Sequence, residues 1–303
     1  MEIFNLTTSE QEKNLRLDKY LSEQLKDISR SYLQKLIKDG AVSVNDTSQK
    51  ANYRLQTGDC IRVSIPDDMQ PDIAAEDIPL DILYEDDQLL VVNKPKGMVV
   101  HPSAGHYSHT LVNALLYHCG STLSGINGVL RPGIVHRIDM DTTGALVVCK
   151  TDLAHQSLAL QLQEHTITRR YRAIVLHNIK DDAGIVEGPI GRHPTDRKRM
   201  AVNRRNGKSA VTHYSVLERF GQYTYIECRL ETGRTHQIRV HMASIGHPLL
   251  GDSVYGPAKC PFHLQGQCLH AMVLGFQHPI TDEYMEFTAP IPEYFDELLQ
   301  KFR

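Results

Sequence analysis

The sequence predicts an α+β protein, with a small helical module at the front and a larger domain built on a mainly antiparallel sheet. Three observations carry this expectation. β-like runs such as TRRYRAIVL, SAVTHYSVLE and YTYIECRL recur with few helices between them, unlike the strict strand–helix alternation of a doubly wound parallel sheet. Two amphipathic helical patterns stand side by side within residues 14–65. An acidic, proline-containing stretch then parts them from the rest, and 303 residues suit two domains.

In the front module, Leu17, Tyr20, Leu21 and Leu25 recur at helical spacing, as do Tyr32, Leu33, Leu36 and Ile37. Ser29 suits an N-cap and Gly40 a helix stop. AVSVN then alternates like a strand, and YRLQTGDCIRV reads as a turn leading into another. Arg16, Lys19, Arg30, Lys35 and Lys38 give the helix pair a basic face, which reads equally as a solvated surface or as a phosphate contact. Pro66–Gln88 holds nine acids, three prolines and no lysine or arginine. Residues 66–79 are therefore expected to form a linker that repels phosphate, with the second domain spanning 80–303.

In that domain QLLVVNK and GALVVCK add strands, while TLVNALLYHC, DLAHQSLALQLQEH and RTHQIRVHMASIG read as helices. If TGRT opens the last of these, Ile238, Met242 and Ile245 form an apolar stripe with Arg239 at its margin. A guanidinium so placed is a surface group or turns inward onto a carboxylate. Tyr171, Ala173 and Val175 share one strand face, directed at the core or a cleft. Arg192–Lys208 carries seven basic residues, including Arg197, Lys198, Arg199, Arg204 and Arg205, against one acid. Such a single-sign cluster repels itself unless a polyanion is near, so it reads as a phosphate-gripping arm rather than a solvated hairpin.

Other classes are disfavoured. Net charge is −3, no apolar run approaches the ~18 residues that span a bilayer, and MEIFNLTTSEQEKN lacks a signal-peptide pattern. A cytoplasmic location is expected. The six cysteines form no C-x-x-C pair, and reduced, mostly buried thiols are expected. RNGKSA lacks the upstream glycine of a P-loop, having Val202 there, and His236 and His241 stand five apart, not at the spacing of a zinc helix.

HRIDMDTTG, residues 136–144, concentrates the chemistry. Its DMDTT matches the D-x-D-x-T of Mg²⁺-dependent haloacid-dehalogenase-type phosphatases, where the first aspartate accepts a phosphoryl group. That pattern belongs at the end of an unbroken hydrophobic strand, and here His136 and Arg137 interrupt it. A phosphatase is thus one alternative. HRIDMDTTG also resembles the H-R-L-D-x-D-T-S-G signature of the RluA/RluD-type RNA pseudouridine synthase family. LVVNKPKGMVVHP, RRYRAIV, GRTHQIRVHMASIGHPLLGDSVYG and CLHAMVLGFQHP resemble further motifs of that family, in its order, over about residues 82–292. Residues 14–65 resemble the α-L RNA-binding module that precedes the catalytic domain in its RluD-like branch.

The resemblance implies an isomerase that breaks a uridine's N-glycosidic bond, turns the base and rejoins it to the ribose through carbon, with no cofactor or metal. The implied partner is large-subunit ribosomal RNA, free or in a pre-ribosomal particle, with no membrane. It assigns the essential carboxylate to Asp139, its guanidinium partner to Arg239 and base handling to Tyr171. Arg137 would fill the gap left by a flipped base, and Leu269 would wall the pocket. Met140 and Thr143 depart from commoner residues of the motif, which puts target choice in doubt and leaves the chemical residues intact. An RNA-binding ribosome-assembly factor without catalysis is the third alternative; the complete Asp139, Tyr171, Arg239 set argues against it.

Overall fold

The structure is a computed structural model that describes residues 2–25, 28, 30–65, 73–103, 105–128, 131–196 and 199–303. Ser29, Arg197, Lys198 and linker residues 66–72 lie outside the described residues. The chain divides into two compact units, Met1–Ile73 with Gly125–Pro132, and Ala74–Ser124 with Gly133–Arg303.

The first unit runs β1 (Glu2–Thr7), α1 (Leu17–Gln24), α2 (Arg30–Lys38), β2 (Val42–Val44), β3 (Thr47–Ser48) and β4 (Cys60–Ile65). Its sheet is antiparallel, in the order β1-β4-β2-β3. The helical spacing noted in sequence puts Leu17, Tyr20, Leu21, Leu33, Leu36 and Ile37 into one core with Val42, Val44, Ile61 and Val63. Gly40 stops α2 at φ +78°, and the Ala41 N–H reaches back to the Leu36 carbonyl at 2.9 Å.

The second unit adds β5 (Ile82–Glu85), β6 (Leu89–Lys94), α3 (Leu111–Cys119), β7 (Thr143–Cys149), α4 (Asp152–Gln163) and β8 (Thr168–Leu176). It continues with β9 (Ala183–Glu187), β10 (Ile190–Arg192), β11 (Met200–Val202), β12 (Val211–Arg219) and β13 (Tyr223–Leu230). Then come α5 (Gln237–Ser244), β14 (Leu269–Gln277), β15 (Tyr284–Thr288) and α6 (Glu293–Phe302). Nine strands form one sheet in the order β5-β6-β7-β14-β8-β13-β12-β9, with β15 on β14. Among the described strands only β7 and β14 pair in parallel, so the mainly antiparallel expectation holds. The basic arm is a small hairpin, β10 on β11.

Three local features shape this unit. Residues 74–76 are fastened to α3: Asn113 Nδ2 donates to the Ala74 carbonyl at 2.8 Å, and the Glu76 N–H to the Asn113 carbonyl at 3.0 Å. Gly144 opens β7 at φ +111°, where any methyl group would overlap the Ala271 carbonyl of β14. The expected helix from TGRT starts later, at Gln237. The Gln237 amide accepts from Thr232 Oγ1 (2.7 Å) and the Arg234 N–H (2.9 Å) and donates to the Val211 carbonyl (2.9 Å), tying TGRTH down as a turn. Ile238 and Met242 are buried, but α5 ends at Ser244 and Ile245 is exposed, so the stripe is shorter than its spacing suggests. All six cysteines are free; Cys149, Cys228 and Cys268 are buried and Cys60 is exposed. Among the described residues no helix is long and apolar enough to cross a membrane.

Candidate active site

Residues 136–142 leave the sheet as an irregular loop that enters β7, and Asp139 lies within it. Asp139 therefore precedes its strand, whereas the phosphatase pattern needs the acid at a strand's end. The loop is held from beneath. The Lys94 ammonium, 1% exposed, donates to the carbonyls of Pro95 (2.8 Å), Met98 (2.8 Å) and Met140 (2.9 Å). The Gly97 N–H also donates to the Met140 carbonyl, at 3.0 Å. Two donors thus fix the residue after Asp139. Burial pulls Lys94 down to about 7, against the pull of Asp141 and Asp139. At the head of the loop, His136 Nε2 accepts the Val147 N–H at 3.1 Å; burial and the Arg169 charge lower it to about 4, so it stands neutral.

Asp139 meets a partner a hundred residues away. Arg239 Nη1 donates to Asp139 Oδ2 at 2.9 Å, while Arg239 Nε and Nη2 grip Asp252 at 2.7 and 3.0 Å. Asp252 is fully buried and its Oδ1 also accepts the N–H groups of Val254 (3.0 Å) and Tyr255 (3.1 Å). Burial opposes a charge on Arg239, but the bonds and charges of Asp252 and Asp139 outweigh it and raise its pKa further. One guanidinium thus serves two carboxylates, the inner one structural and the outer one facing a cleft. The Tyr255 ring lies 5.1 Å from the Arg239 guanidinium, and the Tyr255 hydroxyl bonds His236 Nδ1 at 2.8 Å. His236, in the left-handed region at φ +56°, sets its Nε2 3.8 Å from Asp139 Oδ1, beyond hydrogen-bond reach. Burial chiefly, with Arg239, lowers the His236 pKa against the pull of Asp139 and Asp252.

Asp139 and Arg239 line a cleft of about 300 Å³ together with Arg137, Tyr171 and Leu269. Tyr171 and Leu269 are buried, Arg137 is exposed at the rim, and Asp139 keeps 23% of its side chain accessible. Burial raises the Tyr171 pKa, Asp139 adds to this and Arg169 opposes it. A cleft with a fixed carboxylate, a neutral phenol, an apolar wall at Leu269 and an exposed guanidinium at its rim can hold a flat ring beside a reactive anion.

The basic residues read from sequence fall into different settings. Arg204 and Arg205 are exposed near the base of the arm, whereas Arg199 is half-buried with its guanidinium 5.4 Å from the Tyr255 ring. In the first unit, Arg16 (2.9 Å) and Arg30 (2.8 Å) converge on the buried Asp18, which also accepts from Gln34 at 2.6 Å. Burial pushes the Asp18 pKa up, but Arg16, Gln34 and Arg30 outweigh it and hold the carboxyl below its ordinary range. Both arginines keep nearly half their side chains exposed. Lys19 lies 3.6 Å from Glu23, and Lys35 and Lys38 are exposed.

Sequence reasoning assigned no role to Asp252, Tyr255, Lys94 or His236, although each falls inside a motif. Asp252 follows a glycine in GDSVYG and reads locally as a turn acid. Asp141 leaves its buried Oδ1 without a hydrogen-bond partner among the described residues. Burial raises its pKa against the charges of Lys96 and Lys94.

The chain matches the RNA pseudouridylate synthase family over residues 88–244 and the S4 domain family over residues 15–61. It is 54% identical, over 100% of its own length and 99% of the relative's, to an uncharacterized RNA pseudouridine synthase of Bacillus subtilis (strain 168). It is 50% identical to the ribosomal large subunit pseudouridine synthase D of Zymomonas mobilis, covering 95% of this chain and 94% of that one. Human RNA pseudouridylate synthase domain containing 1 superposes with a TM-score of 0.57 at 25% identity, covering 74% of this chain and 95% of that one.

Proposed function

We propose that this chain, which belongs to the RNA pseudouridylate synthase family and is therefore an RNA isomerase, acts on uridines of large-subunit ribosomal RNA through Asp139, Arg239 and Tyr171. The rRNA assignment is supported by relatives named ribosomal large subunit pseudouridine synthase D and by the S4 match. The enzyme works in the cytoplasm, on RNA alone or within an assembling ribosomal particle.

The reaction breaks the N1–C1′ bond, turns the base and forms C5–C1′; C5 loses a proton and N1 gains one, so no atom or electron is taken up. A uridine in folded RNA must leave its stack to reach a slot of this kind. Arg137, exposed at the rim, fills the vacated space with its planar guanidinium, and Leu269 packs against the base. Asp139 is the carboxylate on which the sugar chemistry depends, and carboxylates serve glycosyl transfer by stabilising or trapping sugar cations. Tyr171 stacks on the base and serves the C5 proton. Arg239 donates to Asp139 at 2.9 Å and fixes where its carboxyl group faces the cleft. The observation that carries this reading is the 2.9 Å Asp139–Arg239 ion pair inside a cleft walled by Tyr171 and Leu269.

The test is pseudouridine mapping on ribosomal RNA from cells carrying Asp139→Ala. Specific sites in the large-subunit RNA should revert to uridine, and purified wild-type protein should restore them in vitro with EDTA present. An unchanged map in a strain without a redundant enzyme would refute the assignment.

A further inference from the structure

The strand TRRYRAIVL sends three guanidiniums from β8, and they are not equivalent. Arg170 pairs with Glu286 at 2.9 Å and Arg172 with Glu227 at 3.1 Å. Arg169, on the same face as Tyr171 by strand alternation, is 7% exposed and has no carboxylate partner among the described residues. Its Nη2 reaches only the Glu231 carbonyl, at 3.3 Å, and its buried Nε donates to nothing described. A guanidinium removed from water without a counter-charge is costly and is ordinarily paired. A groove that stores one next to a cleft is built for an anion that arrives from outside.

The position of Arg169 identifies that anion. It lines the cleft of Asp139 and also an adjoining groove of about 680 Å³ that runs over the end of the sheet, past the start of β8 and the end of β13. Arg229, Arg234 and His165 line the same groove. Its one acid, Glu231, is already bonded to His213 at 2.5 Å. Ser209, also in the lining, directly follows Lys208 at the foot of the basic hairpin. Gly233 leaves the room: a methyl group there would stand 2.6 Å from Arg169 Nη1. Cations therefore continue from the catalytic cleft into a groove, as a polyanion entering the site requires.

We propose that Arg169 is a substrate-positioning residue whose guanidinium binds a phosphodiester next to the target uridine, where the base enters the cleft and the RNA strand continues along the Arg229–Arg234 groove. This rests on the cleft being the uridine site. The phosphate takes the Nη donors beside Gly233, which a planar guanidinium holds in fixed directions and an ammonium does not. Arg169 holds the backbone while Asp139 and Tyr171 act on the nucleotide.

The probe is a short RNA hairpin carrying one uridine mapped in the Asp139→Ala experiment, made with a neutral methylphosphonate 5′ or 3′ of that uridine. With wild-type enzyme, one of the two neutral linkages should lower kcat/KM by ~10- to 100-fold, mostly through KM, the size of a lost charge-assisted contact. Arg169→Met should lose a similar factor on unmodified RNA and no more than about twofold further on the neutral one, because the two changes remove one contact. Arg169→Lys should fall between and stay sensitive to the linkage. Wild type indifferent to both linkages, losses that multiply in Arg169→Met, or a fall in kcat at constant KM would each overturn the inference. If Arg169→Met does not fold, the wild-type and Arg169→Lys arms decide it. An unchanged pseudouridine map in Asp139→Ala cells would refute the site assignment itself, and this inference with it.

Discussion

Asp252→Asn tests whether the Asp139 site depends on an acid that never meets substrate. Asp252 is fully buried; its Oδ1 accepts three hydrogen bonds and its Oδ2 takes Arg239 Nε at 2.7 Å. An asparagine keeps the three-bond corner with its oxygen and turns its amide N–H groups towards Arg239 Nε, donor against donor. The guanidinium, itself 7% exposed, is then left with Asp139 as its one carboxylate. Removing one member of a buried pair costs about 3–5 kcal/mol. With three bonds retained, the lower end applies, ~3 kcal/mol. For a unit of about 220 residues that lowers Tm by roughly 6–12 °C. A guanidinium displaced by about 1 Å no longer fixes Asp139, and misplacement of that order costs ~100-fold in rate. Calorimetry gives the first number, and single-turnover pseudouridine formation on the mapped RNA gives the second. A variant that melts within 2 °C of wild type and turns over within about threefold would refute the idea that Asp252 anchors the site.

Two further substitutions probe the loop that carries Asp139. His136 is held neutral, its pKa lowered to about 4 from 6.5. Below pH 6.5 the unfolded chain takes up a proton that the folded one refuses, so stability falls as pH drops from 6.5 towards 4, by up to about 3 kcal/mol. His136→Gln keeps an acceptor for the Val147 N–H and should flatten that slope in urea melts; parallel wild-type and variant curves would rule the account out. Gly144→Ala forces a methyl group into the Ala271 carbonyl at a φ of +111°, costing more than about 3 kcal/mol. The expected result is insoluble or poorly cooperative protein, and a soluble variant with wild-type Tm would contradict it.

How far the sequence carries can be judged element by element. The front helices were legible because each needs one apolar stripe, and Leu17, Leu21, Leu33 and Ile37 supply it within a few turns. β14 was quotable as a motif but not readable as a strand. It is buried on nearly every residue, so LHAMVLGFQ shows no alternation to count. β15 alternates exposed and half-buried residues over only five positions at the sheet's margin. α6 carries Phe295, Leu298 and Leu299 at helical spacing, but their burial depends on Ile174, Leu250 and Cys268, far away in the chain. The TGRT start failed because a side-chain amide, Gln237, ties that turn to β12, and helical periodicity does not register such a bond.

By itself the sequence determined the α+β class, the order of the motifs and the family. Periodicity and residue order are local properties, and they survive translation into one dimension. Only the tertiary structure decided that Arg239 serves two carboxylates, that Lys94 fastens the Met140 carbonyl and that Arg169, among the described residues, stands beside the cleft without a carboxylate partner. The physical reason is that a buried polar group must find its partner in space, and chain closure brings together groups as far apart as residues 139 and 239 without leaving a mark in the residues between them.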